Sequence, residues 1–317
     1  MKRKILFLIL FLSFFSAFFC AAAPATGKRT ICNAAKNDEV CCCLSDDFCC
    51  DFVAKNEEKQ TVIIMYHSVL KSRQNKYICS PTQIENDIKR FIDEGYRFVL
   101  PADLIAYADG VCDLPNKTVM LTFDDGHYNF LYYVLPILER YGAKAVVSVV
   151  GAFCESSEKD AHNPNYSYLT AQDLKIIAAN PLVSIANHTF DMHKTAPRHG
   201  AGRLKGETDE QYADALRLDL SKLQRLLTKN CGVTPDTFTY PFGNVTKIAQ
   251  KQLPQLGFKV SLTCKEGVSS IKKGDKTTLF DLKRINRSGF IDTDALFTLI
   301  NNYVNASVRL PHRRSTA

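Results

Sequence analysis

An adjacent pair of carboxylates, Asp124 and Asp125, ends the apolar run Thr118–Phe123 and is followed by Gly126. Two histidines, His188 and His193, follow a second apolar run at 182–186. One carboxylate and two imidazoles supply the three protein ligands of a catalytic divalent cation with an open position, and the same ligands accept cobalt or nickel. The second carboxylate is then left to act as a base toward water. Together these groups are the minimum for metal-assisted hydrolysis, so the residues predict a hydrolase. The competing structural readings are a helix cap for the Asp pair and packing or surface roles for the histidines. A spacing of five puts the two histidines off one face of a regular helix, so a turn has to bring both to one ion.

Groups so far apart in sequence need strands that end at a common mouth. From Thr61 onward, short β-rich runs alternate with amphipathic helices. The pattern predicts strands at 61–66, 97–100, 118–123, 143–150, 182–186, 237–240, 259–262 and 281–285. Helices are predicted from Pro81 to Gly95, with Ile84, Ile88, Phe91 and Ile92 on one face, at 101–107, and from about Tyr128 to Gly142. Further helices are expected at 171–179, 209–227, 248–256 and 293–304. Repeated strand and helix units imply an α/β fold with a parallel sheet, and this many of them favour a (β/α) barrel with outer helices. In a barrel the chemistry sits at the carboxyl ends of strands, where His67, Asp124, Asp125, His188 and Tyr240 all fall.

Three segments, Thr122 Phe123 Asp124 Asp125 Gly126, Asn187 His188 Thr189 Phe190 Asp191 Met192 His193, and Phe238 Thr239 Tyr240 Pro241 Phe242 Gly243, resemble the successive motifs of the polysaccharide deacetylase family. This family is also called the NodB homology domain or carbohydrate esterase family 4. The resemblance runs from about Val62 to Val304 and implies a distorted (β/α) barrel that removes N-acetyl groups from sugars with a divalent metal, often zinc. It implies that Asp125, His188 and His193 bind the metal and that Asp124 is the catalytic base. Tyr240, Pro241, Phe242 and Gly243 would form one wall of the substrate groove, with the Tyr240 amide donating to the oxyanion.

Two departures matter. Thr239 and Tyr240 stand where many members carry an arginine that steadies the base, so Arg284 or Arg287 is a candidate replacement, the alternative being exposed strand-end charges. The late LxH motif, whose histidine protonates the departing amine, is matched only by Leu310 Pro311 His312 in a basic tail. Met65 Tyr66 His67 Ser68 Val69 resembles instead the first-strand element of the subgroup acting on poly-N-acetylglucosamine, where motif order is permuted. That resemblance implies His67 as the general acid, against a packing histidine at the barrel rim.

The N-terminus bears on location. Lys2, Arg3 and Lys4 precede an apolar stretch at 5–19, then Cys20 and Ala21 to Ala23, the outline of a secretory signal, with an uncleaved anchor or lipoprotein as alternatives. The expected layout is a signal peptide at 1–23, a cysteine-rich linker at 24–58, the deacetylase domain at 59–305 and a basic tail at 306–317. In an exported protein, Cys32, Cys41, Cys42, Cys43, Cys49 and Cys50 suggest local disulfides whose pairing sequence does not decide. The expected location is secreted or cell-surface associated, with membrane contact only through the leader or anchor.

Composition adds little. Among 317 residues, 40 Lys and Arg against 33 Asp and Glu leave a formal charge of +7, spread along the chain and without a nucleic-acid motif. The expected partner is an N-acetylated polysaccharide or peptidoglycan; oligomeric state is not legible. A catalytically inactive glycan-binding protein and a metal-dependent esterase on O-acetylated polysaccharide are the rival readings.

Overall fold

A computed structural model describes residues 57–157 and 160–309. The expected leader, nearly all of the cysteine-rich linker and the Leu310 Pro311 His312 candidate lie outside the described residues. The elements in chain order are β1 (Glu58–Tyr66), β2 (Ser68–Val69), β3 (Ile78–Cys79), α1 (Pro81–Asp93), β4 (Arg97–Phe98), α2 (Pro101–Ala108) and β5 (Thr118–Phe123). A π-helical turn, Phe130–Val134, leads into α3 (Leu135–Tyr141), followed by β6 (Ala145–Val149), α4 (Gly151–Ser156), α5 (Ala171–Ala178), β7 (Val183–Asn187) and α6 (Asp209–Cys231). The chain continues through β8 (Thr237–Thr239), α7 (Lys247–Gln255), β9 (Val260–Leu262), β10 (Ser269–Lys272), β11 (Ile285–Asn286) and α8 (Thr293–Arg309).

The main sheet has the order β10-β1-β5-β6-β7-β8-β9, parallel throughout except for β10, which runs antiparallel to β1. Its two ends are tied by the segment 282–286: Leu282 bridges Leu262 of β9, and Ile285 pairs with Ile64 of β1. The result is the curled, distorted (β/α) barrel expected from sequence.

Strands buried on both faces explain the uninterrupted apolar runs. Every residue of β5 is buried. Its alternate residues Val119, Leu121 and Phe123 pack outward with Ile64, Val147 and Ile185 against the helices, where Ile88, Phe91, Leu138 and Leu223 meet them. The intervening Met120 joins Ile63, Val146, Ala186, Val260 and Leu262 in a second cluster on the opposite face. The helices carry strong end signals. Ser80 and Gln83 form a capping box around the first turn of α1, and Thr208 and Gln211 do so for α6, which Gly232 ends in a left-handed conformation.

One fully buried ion pair ties α1 to the segment that follows β11. Arg287 Nε donates to Asp87 Oδ2 at 2.6 Å and its Nη2 to Oδ1 at 3.1 Å. Tyr66 and Thr293 hydroxyls complete the carboxylate's shell at 3.1 and 2.7 Å.

The structure differs from the sequence pattern in places. The expected strand at 281–285 is divided, because Leu282 pairs with β9 while Ile285–Asn286 pairs with β1, and Asp281 has a positive φ of 59°. The helix expected from Tyr128 begins as the π-helical turn. Strand β10 and helix α4 were not anticipated. Among the described residues, no helix is long and apolar enough to cross a membrane.

Candidate active site

Three strand ends carry backbones that ordinary side chains seldom adopt. Asp125 after β5, Thr189 after β7 and Phe242 after β8 have φ of 73°, 73° and 55°. Left-handed conformations at non-glycine residues cost energy and persist where the surroundings impose them. At Asp125 the consequence is separation of two adjacent carboxylates: Asp124 meets Arg284, whereas Asp125 meets the histidines.

Asp125 Oδ1 lies 3.1 Å from His193 Nε2 and 3.7 Å from His188 Nε2. One donor atom from each residue falls within 4.8 Å of the other two. His188 Nδ1 is 2.7 Å from the Thr239 carbonyl. A carbonyl only accepts, so Nδ1 carries the proton and Nε2 presents its lone pair toward Asp125. Burial pulls His188 down to about 4 despite the opposing Asp124 carboxylate, which keeps the ring neutral and able to ligate. Burial works against His193 too, but its contact with Asp125 raises it above the ordinary value. Burial opposes ionisation of Asp125, yet His127, His193 and His188 hold it well below the usual carboxylate range. Asp125 Oδ1 itself is buried with no hydrogen-bond partner. An ionised, orphaned oxygen facing two imidazole nitrogens is what a divalent cation would satisfy, so the residues fit the metal expected from sequence.

Asp124 and Arg284, 3% and 0% exposed, form a bidentate pair: Nη1 donates to Oδ1 and Nη2 to Oδ2, both at 2.8 Å. The guanidinium is itself fixed by Nε donating to the Thr263 carbonyl at 2.8 Å and Nη1 to Thr122 at 3.0 Å. Burial pushes the Asp124 carboxyl upward, but the guanidinium outweighs it and holds the group below its ordinary value. Of the two arginines weighed from sequence, Arg284 therefore meets Asp124 and Arg287 serves the separate pair with Asp87. Neither is an exposed strand-end charge.

His67 follows β1 beside these carboxylates. Its Nδ1 is buried without a partner, and its ring meets Tyr77 edge-on at 5.0 Å. Burial lowers its pKa, while Asp124 and Asp125 pull it back upward.

The third motif differs from expectation. The Tyr240 amide donates to the Leu262 carbonyl at 3.0 Å, extending the β8–β9 ladder by one residue, so it is not the free oxyanion donor expected from sequence. Tyr240 and Pro241 are buried and do not line an open wall. Phe242 does: it is 42% exposed and packs on His193 and His199 at centroid distances of 4.6 and 4.9 Å. Gly243 packs on Cys264, where a Cβ would meet the cysteine Cβ at 2.7 Å.

Sequence reasoning passed over His127, two residues beyond Asp125. Its Nε2 is 3.5 Å from Asp125 Oδ2, and its ring stacks on Tyr168 at 4.9 Å. The loop leading into α5 thus reaches the site through Tyr168, which also packs on Phe153. In the loop between β7 and α6, Arg198 pairs with Glu207 and Arg203 with Asp209.

Gly151, the first residue of α4, lies where an added Cβ would collide with the ring of Phe190, a residue between the two histidines in sequence. Gly151→Ala is expected to destabilise the protein by about 1–3 kcal/mol through overpacking, read as a lower urea midpoint with an unchanged slope.

Residues 112–261 match the family model described as polysaccharide deacetylase. A poly-beta-1,6-N-acetyl-D-glucosamine N-deacetylase of Escherichia coli (strain K12) is 29% identical over 203 residues, 58% of this chain and 30% of the relative. The chain thus spans under a third of that protein's length. A Staphylococcus aureus (strain MRSA252) protein of the same name is 24% identical over 226 residues, 67% of this chain and 74% of the relative. The fold is shared with a de-N-acetylase from Aggregatibacter actinomycetemcomitans, at a TM-score of 0.64 and 22% identity, covering 77% of this chain and 100% of that one. A Streptococcus pyogenes deacetylase solved with acetate gives a TM-score of 0.61 at 22% identity, with coverage of 77% and 99%.

Proposed function

From the match of residues 112–261 to the polysaccharide deacetylase model we propose that the chain is a member of that family and a divalent-metal hydrolase removing N-acetyl groups from a polymer of N-acetylglucosamine. The observation that carries the reading is the division of two adjacent carboxylates: Asp125 joins His188 and His193, and Asp124 is held off that triangle by Arg284. A pure binding protein has no need of an ionised, buried carboxylate beside a ligand set. The names of the E. coli and S. aureus relatives supply the substrate class, poly-β-1,6-N-acetylglucosamine.

In this mechanism Asp125, His188 and His193 would hold the cation. When bound, a divalent cation supplies positive charge at the reacting carbonyl and makes water more acidic. Asp124, ionised across the neutral range, accepts the proton of the attacking water. Both its oxygens bond to Arg284, and each keeps a further lone pair for that proton. His67, immediately after the first strand, is the proton donor to the departing amine. Burial leaves it neutral at rest, so it has to gain a proton before giving one, and the two carboxylates nearby favour that gain. Water adds across the amide, the carbon–nitrogen bond breaks, and acetate and a free amine leave.

The test is acetate release from β-1,6-linked N-acetylglucosamine oligomers by the purified protein. We expect activity with zinc, loss after dialysis against a chelator, and return on zinc addition. Acetate release that is indifferent to exhaustive chelation would refute the metal-dependent reading.

A further inference from the structure

The two histidines are joined by a five-residue step with no helical or strand repeat to fix their separation. Something outside the motif has to set the turn. The backbone from Thr189 to Asp191 is gripped from two sides. On one side its carbonyls are bonded: Gly151 N–H donates to Thr189 O at 3.1 Å and Ala152 N–H to Phe190 O at 2.7 Å. On the other side a single carboxylate from the middle of α6 takes both following amides. Phe190 N–H donates to Asp219 Oδ1 at 2.6 Å, and Asp191 N–H to Asp219 Oδ2 at 2.8 Å.

Neighbouring contacts bind the same helix to the same turn. Asn187 Nδ2 donates to the Leu220 carbonyl at 3.1 Å, and Lys222 Nζ lies 3.4 Å from the centre of the Phe190 ring. Asn187 Oδ1 accepts from Thr189 N–H at 2.9 Å, bending the chain into its left-handed step immediately after His188. Asp219 is half-buried amid the apolar stripe formed by Leu216, Leu220 and Leu223. Placing a carboxylate there costs solvation, and the two amides are what repay it.

We propose that Asp219 is a positioning residue for the cation site: by holding the amides of Phe190 and Asp191 it sets the distance from His188 Nε2 to His193 Nε2. It touches neither substrate nor metal. The inference rests on the metal reading given under Proposed function and deepens it, because it places control of cation affinity on a helix outside the sequence motifs. Without Asp219 the turn keeps its bonds to Gly151 and Ala152, so His188, anchored to Thr239, stays in place. His193, three and two residues beyond the two clamped amides, loses its fixed position.

The experiment compares wild-type, Asp219→Ala and Asp219→Asn proteins in zinc affinity, by competition with a chromophoric chelator, and in Tm with the metal removed. Outer groups that orient metal ligands typically contribute about 10–100-fold in affinity, so Asp219→Ala is expected to bind zinc that much more weakly. Asp219→Asn, which keeps one acceptor oxygen and turns an NH2 toward the other amide, should fall between the two. The metal-free Tm measures any general role of Asp219 in packing, which by itself would not move affinity. Zinc affinity within about twofold of wild type in folded Asp219→Ala, or zinc bound more weakly by Asp219→Asn than by Asp219→Ala, overturns the inference. Wild-type protein that binds no zinc would overturn the metal reading itself, and this inference with it.

Discussion

Asp124→Asn is expected to lower the rate of acetate release by roughly 10²–10⁴-fold while leaving zinc content unchanged. The substitution keeps the shape of the side chain and one acceptor for Arg284, but the amide cannot take a proton from water. Its effect should therefore fall on kcat, with KM little moved. Asp125→Asn is the necessary contrast. Asp125 Oδ1 sits among the two imidazole nitrogens and has no other partner, so weakening it should remove zinc together with activity. The two carboxylates are adjacent in sequence and differ only in what their left-handed junction turns them toward. If Asp124→Asn lost zinc as readily as Asp125→Asn, the assignment of one as base and the other as ligand would fail. If it retained near wild-type turnover, another group would be the base.

Much of this arrangement was legible in the residues, and the limits have physical causes. Strand β5 was read at its observed bounds because its six residues are all buried and form an unbroken apolar run. Helix α1 announced itself through Pro81 at one end, the apolar face of Ile84, Ile88 and Phe91, and Gly95 beyond the other end. Strand β10 did not, because Ser269 to Lys272 alternates buried and exposed residues over only four positions and owes its existence to pairing with β1. Helix α4 begins at Gly151 and is imposed by the turn it supports rather than by propensity. At the site, Asp125 and His188 were placed by their strand ends, and His193 by the turn that its spacing of five from His188 demanded. The choice between Arg284 and Arg287 did not, since it depends on which carboxylate lies across from each, Asp124 or Asp87. The Tyr240 amide was misplaced for a related reason: whether a strand-end amide is free depends on how far its neighbour continues, and Leu262 continues far enough to take it. Asp219 passed as a polar residue on an amphipathic helix. A carboxylate one position before Leu220, on the stripe side of the helix, was the available signal.

Arg284→Met should produce the largest loss of stability, and its pH dependence identifies the cause. Removing one member of a buried pair leaves the other charge uncompensated, which typically costs about 3–5 kcal/mol. In the wild-type protein Asp124 lies below its ordinary value. The stability it contributes is therefore complete above the carboxyl's unfolded value and is lost as pH falls through the lowered folded value. In the variant the sign reverses. Burial, no longer opposed by the guanidinium, raises the folded value above the unfolded one, so the ionised carboxylate becomes a penalty near neutrality and protonation relieves it. Urea unfolding with chelator present should thus show the gap between variant and wild type widest near neutral pH and narrowing on acidification. A gap that is constant with pH would mean that lost packing, not an unpaired carboxylate, is responsible. The double variant Asp124→Asn with Arg284→Met separates the two further: with both charges gone it should regain much of the stability that Arg284→Met lost, because neutral groups of similar volume carry no uncompensated charge. It should regain none of the activity, since the group that accepts the proton is absent. For the single variant, turnover should survive at reduced level with the acidic limb of its pH profile moved upward, as expected of a base whose proton is now harder to remove.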